Sequence, residues 1–229
     1  MDEERMFNWT LEQKELESKR LIGEAVERYG NKIATATSFG KDSTVVLHLI
    51  KEVFGGKIPI PVLNIDTSVE FKEIYAFRDR MAREWDLDLK IVRNDEALKT
   101  INIAEDKEQC CQALKTDALN MAIRQNGWNA LITAIRWDEQ EARINETYFS
   151  QRENPSYTRI NPILHFREVD IWEYIKKYHV PYCELYKRGY RSLGCEPCTR
   201  ISGLEGPERG GRSQDKEEIM RRLRDLGYF

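Results

Sequence analysis

Short apolar runs alternate with stretches of helical periodicity along most of this chain. The runs are too short to be buried helices, and the longer stretches between them carry apolar residues three or four positions apart. Alternation of this kind predicts parallel strands joined by right-handed helical crossovers. The predicted strands are residues 33–37, 61–65, 89–92, 130–135 and 161–164, and the predicted helices are residues 11–29, 44–53, 71–85, 111–125, 169–178 and 214–226.

These elements indicate an α/β fold, with a mostly parallel five-stranded sheet and helices on both faces. A length of 229 residues is sufficient for one such domain and marginal for two. We therefore expect one domain in residues 1–198 and a C-terminal tail in residues 199–229, because glycine and proline become frequent after Cys198. The tail is expected to dock on the functional site, or to become ordered when a ligand binds.

Composition and charge narrow the class of protein. The formal net charge is -3, so no overall positive charge draws the chain to nucleic acid or to an anionic membrane, although a local basic groove is compatible with it. No apolar run approaches the roughly 20 residues that span a bilayer, and the first residues are acidic rather than signal-like. We expect a cytoplasmic protein with no membrane contact.

A polar loop follows the first predicted strand and precedes a predicted helix. In such a loop the backbone N–H groups and the positive end of the helix can face an anion such as pyrophosphate. Glycine allows a close turn, lysine neutralises phosphate charge, and serine hydroxyls donate to phosphate oxygens. The alternative is an ordinary βα turn in which Asp42 and Ser43 cap the helix. The loop consists of Ser38, Phe39, Gly40, Lys41, Asp42 and Ser43.

Two further loops are predicted at the same edge of the sheet, where ligands of open α/β folds bind. Asp66 and Thr67 follow the second predicted strand and are expected to help bind the cofactor. Asp66 is a candidate for contact with Mg²⁺ or a ribose, and a helix cap or turn is its alternative. Arg136 and Arg143 lie in a charged loop after the fourth strand, and their guanidinium groups suit tetrahedral oxyanions. The alternative for this loop is a solvated, salt-bridged surface.

Four of the five cysteines form two close pairs, Cys110 with Cys111 and Cys195 with Cys198. Adjacent cysteines make poor disulfide partners, so ligation of iron–sulfur or Zn²⁺ is the better explanation, with buried unligated thiols as the remaining alternative. Cys183 is interpreted as an ordinary buried cysteine.

The loop from Ser38 to Ser43 resembles the PP-loop of the adenine nucleotide α-hydrolase superfamily, in the form found in the ATP sulfurylase small subunit and in adenylylsulfate and phosphoadenylylsulfate reductases. Residues 63–67 and 71–80 resemble the second strand and helix of the sulfurylase subunit. The resemblance implies an adenine nucleotide α-hydrolase-like fold and cleavage of ATP, with Mg²⁺, between its α and β phosphates. The cysteine pattern, with residues 190–199, resembles the 4Fe-4S site of adenylylsulfate reductases, so Cys110, Cys111, Cys195 and Cys198 are the expected ligands.

The chain departs from the reductases in two respects. Reductases carry a further nucleophilic cysteine near the C-terminus, whereas no cysteine follows Cys198 here, and they tend to lose the lysine and aspartate that this chain keeps as Lys41 and Asp42. Both departures favour an ATP-cleaving, adenylylating enzyme of sulfur metabolism. A sulfur oxyanion or other acceptor would attack the α-phosphate, and the expected catalytic residues are Lys41 and Asp42, with Arg136 and Arg143 holding the acceptor.

Three alternatives remain open at this stage. The chain could be a reductase of adenylylsulfate or phosphoadenylylsulfate that uses an external thiol, an enzyme that inserts sulfur into tRNA or DNA, or a nucleotide- and redox-sensing subunit. The expected partners are an adenine nucleotide, a sulfur oxyanion or sulfur donor, and a protein that is a GTPase subunit, a thiol donor or a cysteine desulfurase. Nucleic acid is a further candidate partner, and we expect a homo-oligomer.

Overall fold

The computed structural model describes residues 6–203, 205–225 and 227. Its principal elements follow the alternation that the sequence predicts. In chain order they are α1 (Leu11–Tyr29), β1 (Ile33–Ala36), α2 (Lys41–Val53), β2 (Val62–Ile65), α3 (Lys72–Glu84), β3 (Leu89–Val92), α4 (Asp95–Leu98), α5 (Lys107–Cys111), α6 (Ala118–Asn126), β4 (Ala130–Ile132), β5 (Phe149–Glu153), β6 (Ser156–Ile160), α7 (Glu168–Tyr178), α8 (Gln214–Glu218) and α9 (Met220–Asp225).

The strands form one sheet in the order β3-β2-β1-β4-β6-β5. All neighbouring pairs are parallel except β5 and β6, which form an antiparallel hairpin. The predicted α/β class and mostly parallel sheet are confirmed. The predicted number of strands is wrong, because the sheet has six strands rather than five.

The error lies at residues 161–164, which were predicted to be the fifth strand. They form a turn after β6, in which the Leu164 N–H donates to the Asn161 carbonyl at 3.4 Å. The Asn161 side chain donates to the Thr147 carbonyl and accepts from the Thr133 hydroxyl, and Pro162 has no N–H for a strand ladder. Two true strands, β5 and β6, were missed because their exposed and polar residues give no apolar run.

Alternate residues of the strands enter two apolar layers, so both faces of the sheet are covered. Ile33, Val62 and Ile132 pack with α1, α2, α3 and α7 on one face. Ala34 and Leu131 face the other layer with α6. Because both faces are covered, the ends of the strands are where a polar ligand can approach.

Two helix predictions are refined by the structure. A π-helical segment, Gln112–Asp117, lies between α5 and α6 and joins them into one continuous helix. The predicted tail helix is broken into α8 and α9, and its last predicted residue, Leu226, lies outside the described residues. Across the described part of the chain, no helix combines the length and apolar character needed to cross a bilayer.

A buried histidine beside α1 gives a stability prediction. His165 bonds through its ring nitrogens to the Tyr148 hydroxyl at 2.9 Å and the Lys14 carbonyl at 3.1 Å, and burial lowers its pKa to about 4. Between about pH 6.5 and 4 the unfolded chain therefore binds a proton that the folded chain does not, so stability falls as the pH falls. Urea unfolding at pH 7.5 and pH 5 should show a loss of about 2 kcal/mol from this group.

The matched control is His165→Gln, which has no titratable group at this position. The loss of unfolding free energy between the two pH values should be about 2 kcal/mol smaller in this variant than in the wild-type chain. Equal losses in both proteins would show that His165 is not responsible.

Candidate nucleotide site

A cavity of about 300 Å³ opens at the carboxyl ends of the central strands. The polar loop between β1 and α2 forms one wall, and Ser38, Gly40, Lys41, Asp42 and Ser43 line it. Leu63 and Leu131 give the cavity an apolar floor. Its position at the ends of parallel strands and its mixed lining suit a nucleotide, which has one apolar and one anionic end.

The loop is held in shape from within. Phe39 has a left-handed backbone, with φ +56°, and its side chain is fully buried with its ring edge-on to Phe77. The Thr37 hydroxyl accepts from the Phe39 N–H at 3.0 Å, and the Ser43 hydroxyl donates to the Gly40 carbonyl at 3.1 Å. Phe39 was predicted to bind the cofactor, but the structure places it in the core, where it anchors the loop and does not line the cavity.

Lys41 begins α2 and is the central cation of the loop. Its side chain is only 1% exposed, and its Nζ donates to the Arg191 carbonyl at 2.9 Å and to the carboxylate of Glu208. The Lys41 N–H donates to the Tyr186 hydroxyl at 2.8 Å. Burial lowers the pKa of Lys41, but the charges of Asp42, Tyr186 and Glu208 more than offset this and raise it, so the amine stays protonated.

Arg136 lies behind Lys41 rather than in the cavity wall. Its fully buried guanidinium contacts Asp42 Oδ1 at 3.1 Å, Asp138 Oδ1 at 3.5 Å, and the carboxylate of Glu208. Lys41 and Arg136 thus share two carboxylates, Asp42 and Glu208, and Arg136 alone contacts a third, Asp138. Burial and the neighbouring charge of Asp42 raise the pKa of Glu208 to about 7, as expected where carboxylates outnumber cations.

Arg143 belongs to a second ionic group on the cavity wall. Its NH1 contacts Glu139, whose other oxygen accepts from Arg209 NH1 at 2.8 Å; Arg209 in turn contacts Glu217 at 2.7 Å. Burial would raise the pKa of Glu139, but Arg143 and Arg209 outweigh burial and lower it. The two arginines that were predicted to hold the acceptor, Arg136 and Arg143, are therefore both paired with carboxylates here.

Asp66 and Thr67 do not line the main cavity. Asp66 Oδ1 accepts from the Ser68 N–H at 2.7 Å and from the Tyr75 hydroxyl at 2.9 Å, which is the turn role considered as its alternative. The Thr67 hydroxyl donates to Glu70 at 2.8 Å and lies 3.5 Å from the Cys195 sulfur. The second predicted loop thus lies between the main cavity and the cysteines.

Four residues that sequence reasoning missed contribute to the site: Arg159, Glu208, Arg209 and Arg212. Arg159 and Arg212 line the cavity, are more than nine-tenths buried, and have no carboxylate within 4 Å among the residues that the structure describes. Arg159 donates to the Tyr157 hydroxyl and the Gly227 carbonyl, and the Arg212 guanidinium packs on Gly194. Two features of the sequence could have pointed to them. Tyr157 and Arg159 are two positions apart, as residues on one face of a strand are, and the tail is rich in charged residues.

The tail docks on the site, as predicted. Glu208, Arg209 and Arg212 reach the loop and the cavity, and Arg212 forms an isolated β-bridge with Thr199.

The four paired cysteines lie around a second, smaller cavity of about 10 Å³. Cys110 and Cys111 reach it from α5, and Cys195 and Cys198 reach it from the turn before the tail. Cys183 is buried elsewhere in the main core.

As a donor set, four thiols facing one space fit a tetrathiolate centre. The spacing is not that of a formed metal site, because in the described ranges no group of three or more Cys, His, Asp or Glu residues is arranged to hold a metal ion. The Cys195 thiol instead donates to Glu70 at 3.6 Å.

Comparisons with known proteins agree with this architecture. Residues 32–201 match the phosphoadenosine phosphosulfate reductase domain. Sulfate adenylyltransferase subunit 2 of Aeromonas hydrophila is 31% identical, and that of Zymomonas mobilis is 32% identical; each alignment covers 100% of this chain and 83% of the relative. The phosphoadenylyl-sulfate reductase of Candida auris, solved as a phosphate complex, has the same fold, with a TM-score of 0.67 and 23% identity over 79% of this chain and 88% of that one. The chain therefore belongs to the family that includes sulfate adenylyltransferase subunit 2 and the phosphoadenosine phosphosulfate reductase domain.

Proposed function

We propose that the chain is the ATP-cleaving subunit of an adenylyltransferase of sulfur metabolism, with sulfate as the acceptor. The observation that carries the proposal is one cavity whose wall holds both the Lys41 loop and two arginines, Arg159 and Arg212, that have no carboxylate within 4 Å among the described residues. One cavity thus offers a phosphate loop and a second anion-binding region. The relatives named sulfate adenylyltransferase subunit 2, which align over the whole chain, support the same activity.

In the proposed reaction an oxygen of sulfate attacks the α-phosphorus of ATP. The new bond joins sulfate to that phosphorus, the bond from the α-phosphorus to the bridging oxygen of the β-phosphate breaks, and pyrophosphate leaves with the electron pair. Lys41 and the backbone N–H groups at the start of α2 stabilise the charge on the leaving pyrophosphate. Asp42 keeps Arg136 and Lys41 charged and in place, and bound Mg²⁺ would neutralise further phosphate charge.

The acceptor is proposed to lie against Arg159 and Arg212, with Arg143 at the cavity wall. A buried guanidinium without a carboxylate is costly, and an anionic ligand would supply the missing countercharge. Arg136 is assigned a supporting role, because it lies behind the loop and is paired with Asp42.

We further propose that Cys110, Cys111, Cys195 and Cys198 hold a 4Fe-4S cluster. Four protein thiolates would saturate its irons, so the cluster would stabilise the turn before the tail rather than carry sulfide. Because the relatives are named as a second subunit, we also propose that the chain works with at least one partner subunit, for which a GTPase remains the expected class.

A reductase is the second candidate, because residues 32–201 match the phosphoadenosine phosphosulfate reductase domain. No cysteine is present among the described residues that line the main cavity. Reduction would therefore require a thiol from another molecule, and this requirement favours the adenylyltransferase.

The test is pyrophosphate release from ATP and Mg²⁺ by the anaerobically purified chain, alone and with its co-expressed partner subunit. Sulfate, nucleic acid and no acceptor are compared, and sulfite is measured in parallel with adenylylsulfate plus a dithiol. The proposal expects pyrophosphate release that depends on sulfate. Release that depends only on nucleic acid would support sulfur insertion instead, and sulfite without pyrophosphate would support a reductase.

Gly194→Ala provides a prediction for the acceptor region. An added Cβ would lie 2.1 Å from Arg212 NH2, so the flexible guanidinium must leave its place over Gly194. We expect the KM for sulfate to rise about tenfold or more with little change in the KM for ATP, since one charged contact to the acceptor is lost. Steady-state kinetics in both substrates measures this.

Gly23→Ala is the control, because nothing lies within 4 Å of a Cβ at that position. An equal rise in both KM values for Gly194→Ala would contradict a specific role for Arg212 at the acceptor.

A further inference from the structure

The carboxylate of Glu208 lies against the cations of the loop, and it is mostly buried. One oxygen contacts Lys41 Nζ and the other contacts Arg136 NH2, so the side chain bridges the two cations nearest the loop. Its side chain is 8% exposed. Lys41 has no exposed surface left with which to meet a second anion, since Arg191, Asp42 and Glu208 surround its amine.

The charge balance leads to the same conclusion. With Glu208 in place, Asp42, Asp138 and Glu208 already outnumber Lys41 and Arg136. A phosphate added to this arrangement would meet net negative charge in a buried region, which is strongly unfavourable. When Glu208 leaves, Lys41 and Arg136 lose one carboxylate partner and can accept a phosphate in its place.

The segment that carries Glu208, here called the strap (residues 205–212), is held mainly by polar contacts. None of its residues is a buried apolar side chain, and Gly206 has φ +88°. Its ends are tied close together, because Arg200 N–H donates to the Gly211 carbonyl at 2.7 Å and Ser213 N–H donates to the Cys198 carbonyl at 3.1 Å. A loop with fixed ends and few apolar contacts loses little apolar burial when it opens, and a phosphate that takes the place of Glu208 would offset the lost ion pairs.

We propose that the strap is an autoinhibitory latch, in which the Glu208 carboxylate takes the place of a nucleotide phosphate between Lys41 and Arg136 and must be displaced before pyrophosphate or ATP binds. This inference rests on the proposed function insofar as it takes phosphate groups to be the ligands of Lys41. The observed Kd for phosphates then equals the Kd of the open form divided by the fraction of molecules in which the latch is open.

The test is calorimetric titration of inorganic pyrophosphate, with Mg²⁺, into the wild-type chain, Glu208→Gln and Glu205→Gln. Glu205→Gln is the matched control, because it removes the same charge from an exposed position on the strap. We expect Glu208→Gln to lower the Kd for pyrophosphate about tenfold or more, and Glu205→Gln to change it less than about twofold. An unchanged or higher Kd in Glu208→Gln would overturn the latch.

A second measurement uses the unmodified chain, so it does not depend on how a variant folds. Hydrogen exchange at the Gly210 amide, which donates to the Pro207 carbonyl within the strap, should become faster when pyrophosphate is added. Slower exchange would overturn the latch, because it would mean that the strap closes over the ligand with Glu208 in place.

The latch and the proposed function fail in different ways. Tighter pyrophosphate binding by Glu208→Gln, in a chain that does not cleave ATP, would support the latch and refute the adenylyltransferase. Cleavage of ATP with sulfate, but with no gain in affinity in Glu208→Gln, would refute the latch alone. If no form of the chain bound pyrophosphate or ATP, both would be refuted.

Discussion

Lys41→Ala is expected to reduce sulfate-dependent release of pyrophosphate about 100- to 1,000-fold. Lys41 is the central cation of the loop. In the proposed reaction its charge stabilises the negative charge that develops on the leaving pyrophosphate. The rate constant with saturating ATP should fall more than the affinity for ATP, because the stabilisation is greatest in the transition state. Single-turnover formation of pyrophosphate measures the effect directly.

The Lys41→Ala variant must be shown to fold, because it removes a cation that contacts the carboxylates of Glu208 and Asp42. Breaking a buried ion pair from one side costs about 3–5 kcal/mol. The double variant Lys41→Ala/Glu208→Gln removes both charges and should recover much of that stability while staying inactive. Lys51→Ala, near the end of the same helix, is the control for loss of a lysine and should keep its activity. Full activity in the stable double variant would contradict the role of Lys41.

Substitution of any one of the four paired cysteines by serine is expected to abolish assembly of the proposed iron–sulfur cluster. The anaerobically reconstituted wild-type chain should hold about four iron atoms and four sulfides, and each single variant should hold few or none. The reason is that all four thiols face the same small cavity from two distant parts of the chain. Iron and acid-labile sulfide contents, with the visible absorption spectrum, are the measurements.

Cys183→Ser is the matched control, because this thiol is buried in the main core away from the cavity. It should retain the full iron content. Loss of iron in Cys183→Ser alone, or stoichiometric zinc with no sulfide in the wild-type chain, would contradict the 4Fe-4S assignment.

The fold was largely predictable because its first four strands, β1 to β4, are short apolar runs between amphipathic helices. Residues 33–37 and 61–65 contain β1 and β2, and α1 was predicted with its observed bounds. The hairpin of β5 and β6 was not predictable by the same means, because its polar, partly exposed residues give no apolar run. Apolar residues at 163 and 164 drew the strand prediction beyond its true position, into a turn that begins at Asn161.

The site was only partly predictable from sequence. The loop around Lys41 is contiguous, so its residue types and its place between a strand and a helix could be recognised together. Glu208 could not be found in this way, because it lies 167 positions from Lys41 and neighbouring residues give no sign of the contact. The sequence also does not show which arginines form ion pairs. Arg136 and Arg143 contact carboxylates in the folded chain, whereas Arg159 and Arg212 have none within 4 Å among the described residues.

The most direct test of the central claim, that this cavity transfers the adenylyl group of ATP to sulfate, is the reaction in reverse. The anaerobically purified chain, with its partner subunit, is given adenylylsulfate, pyrophosphate and Mg²⁺, and ATP formation is followed. We predict one ATP for each adenylylsulfate consumed, and no ATP with Lys41→Ala. Consumption of adenylylsulfate to AMP and sulfite when a dithiol is added as the reductant, with no ATP formed and no dependence on pyrophosphate, would contradict it.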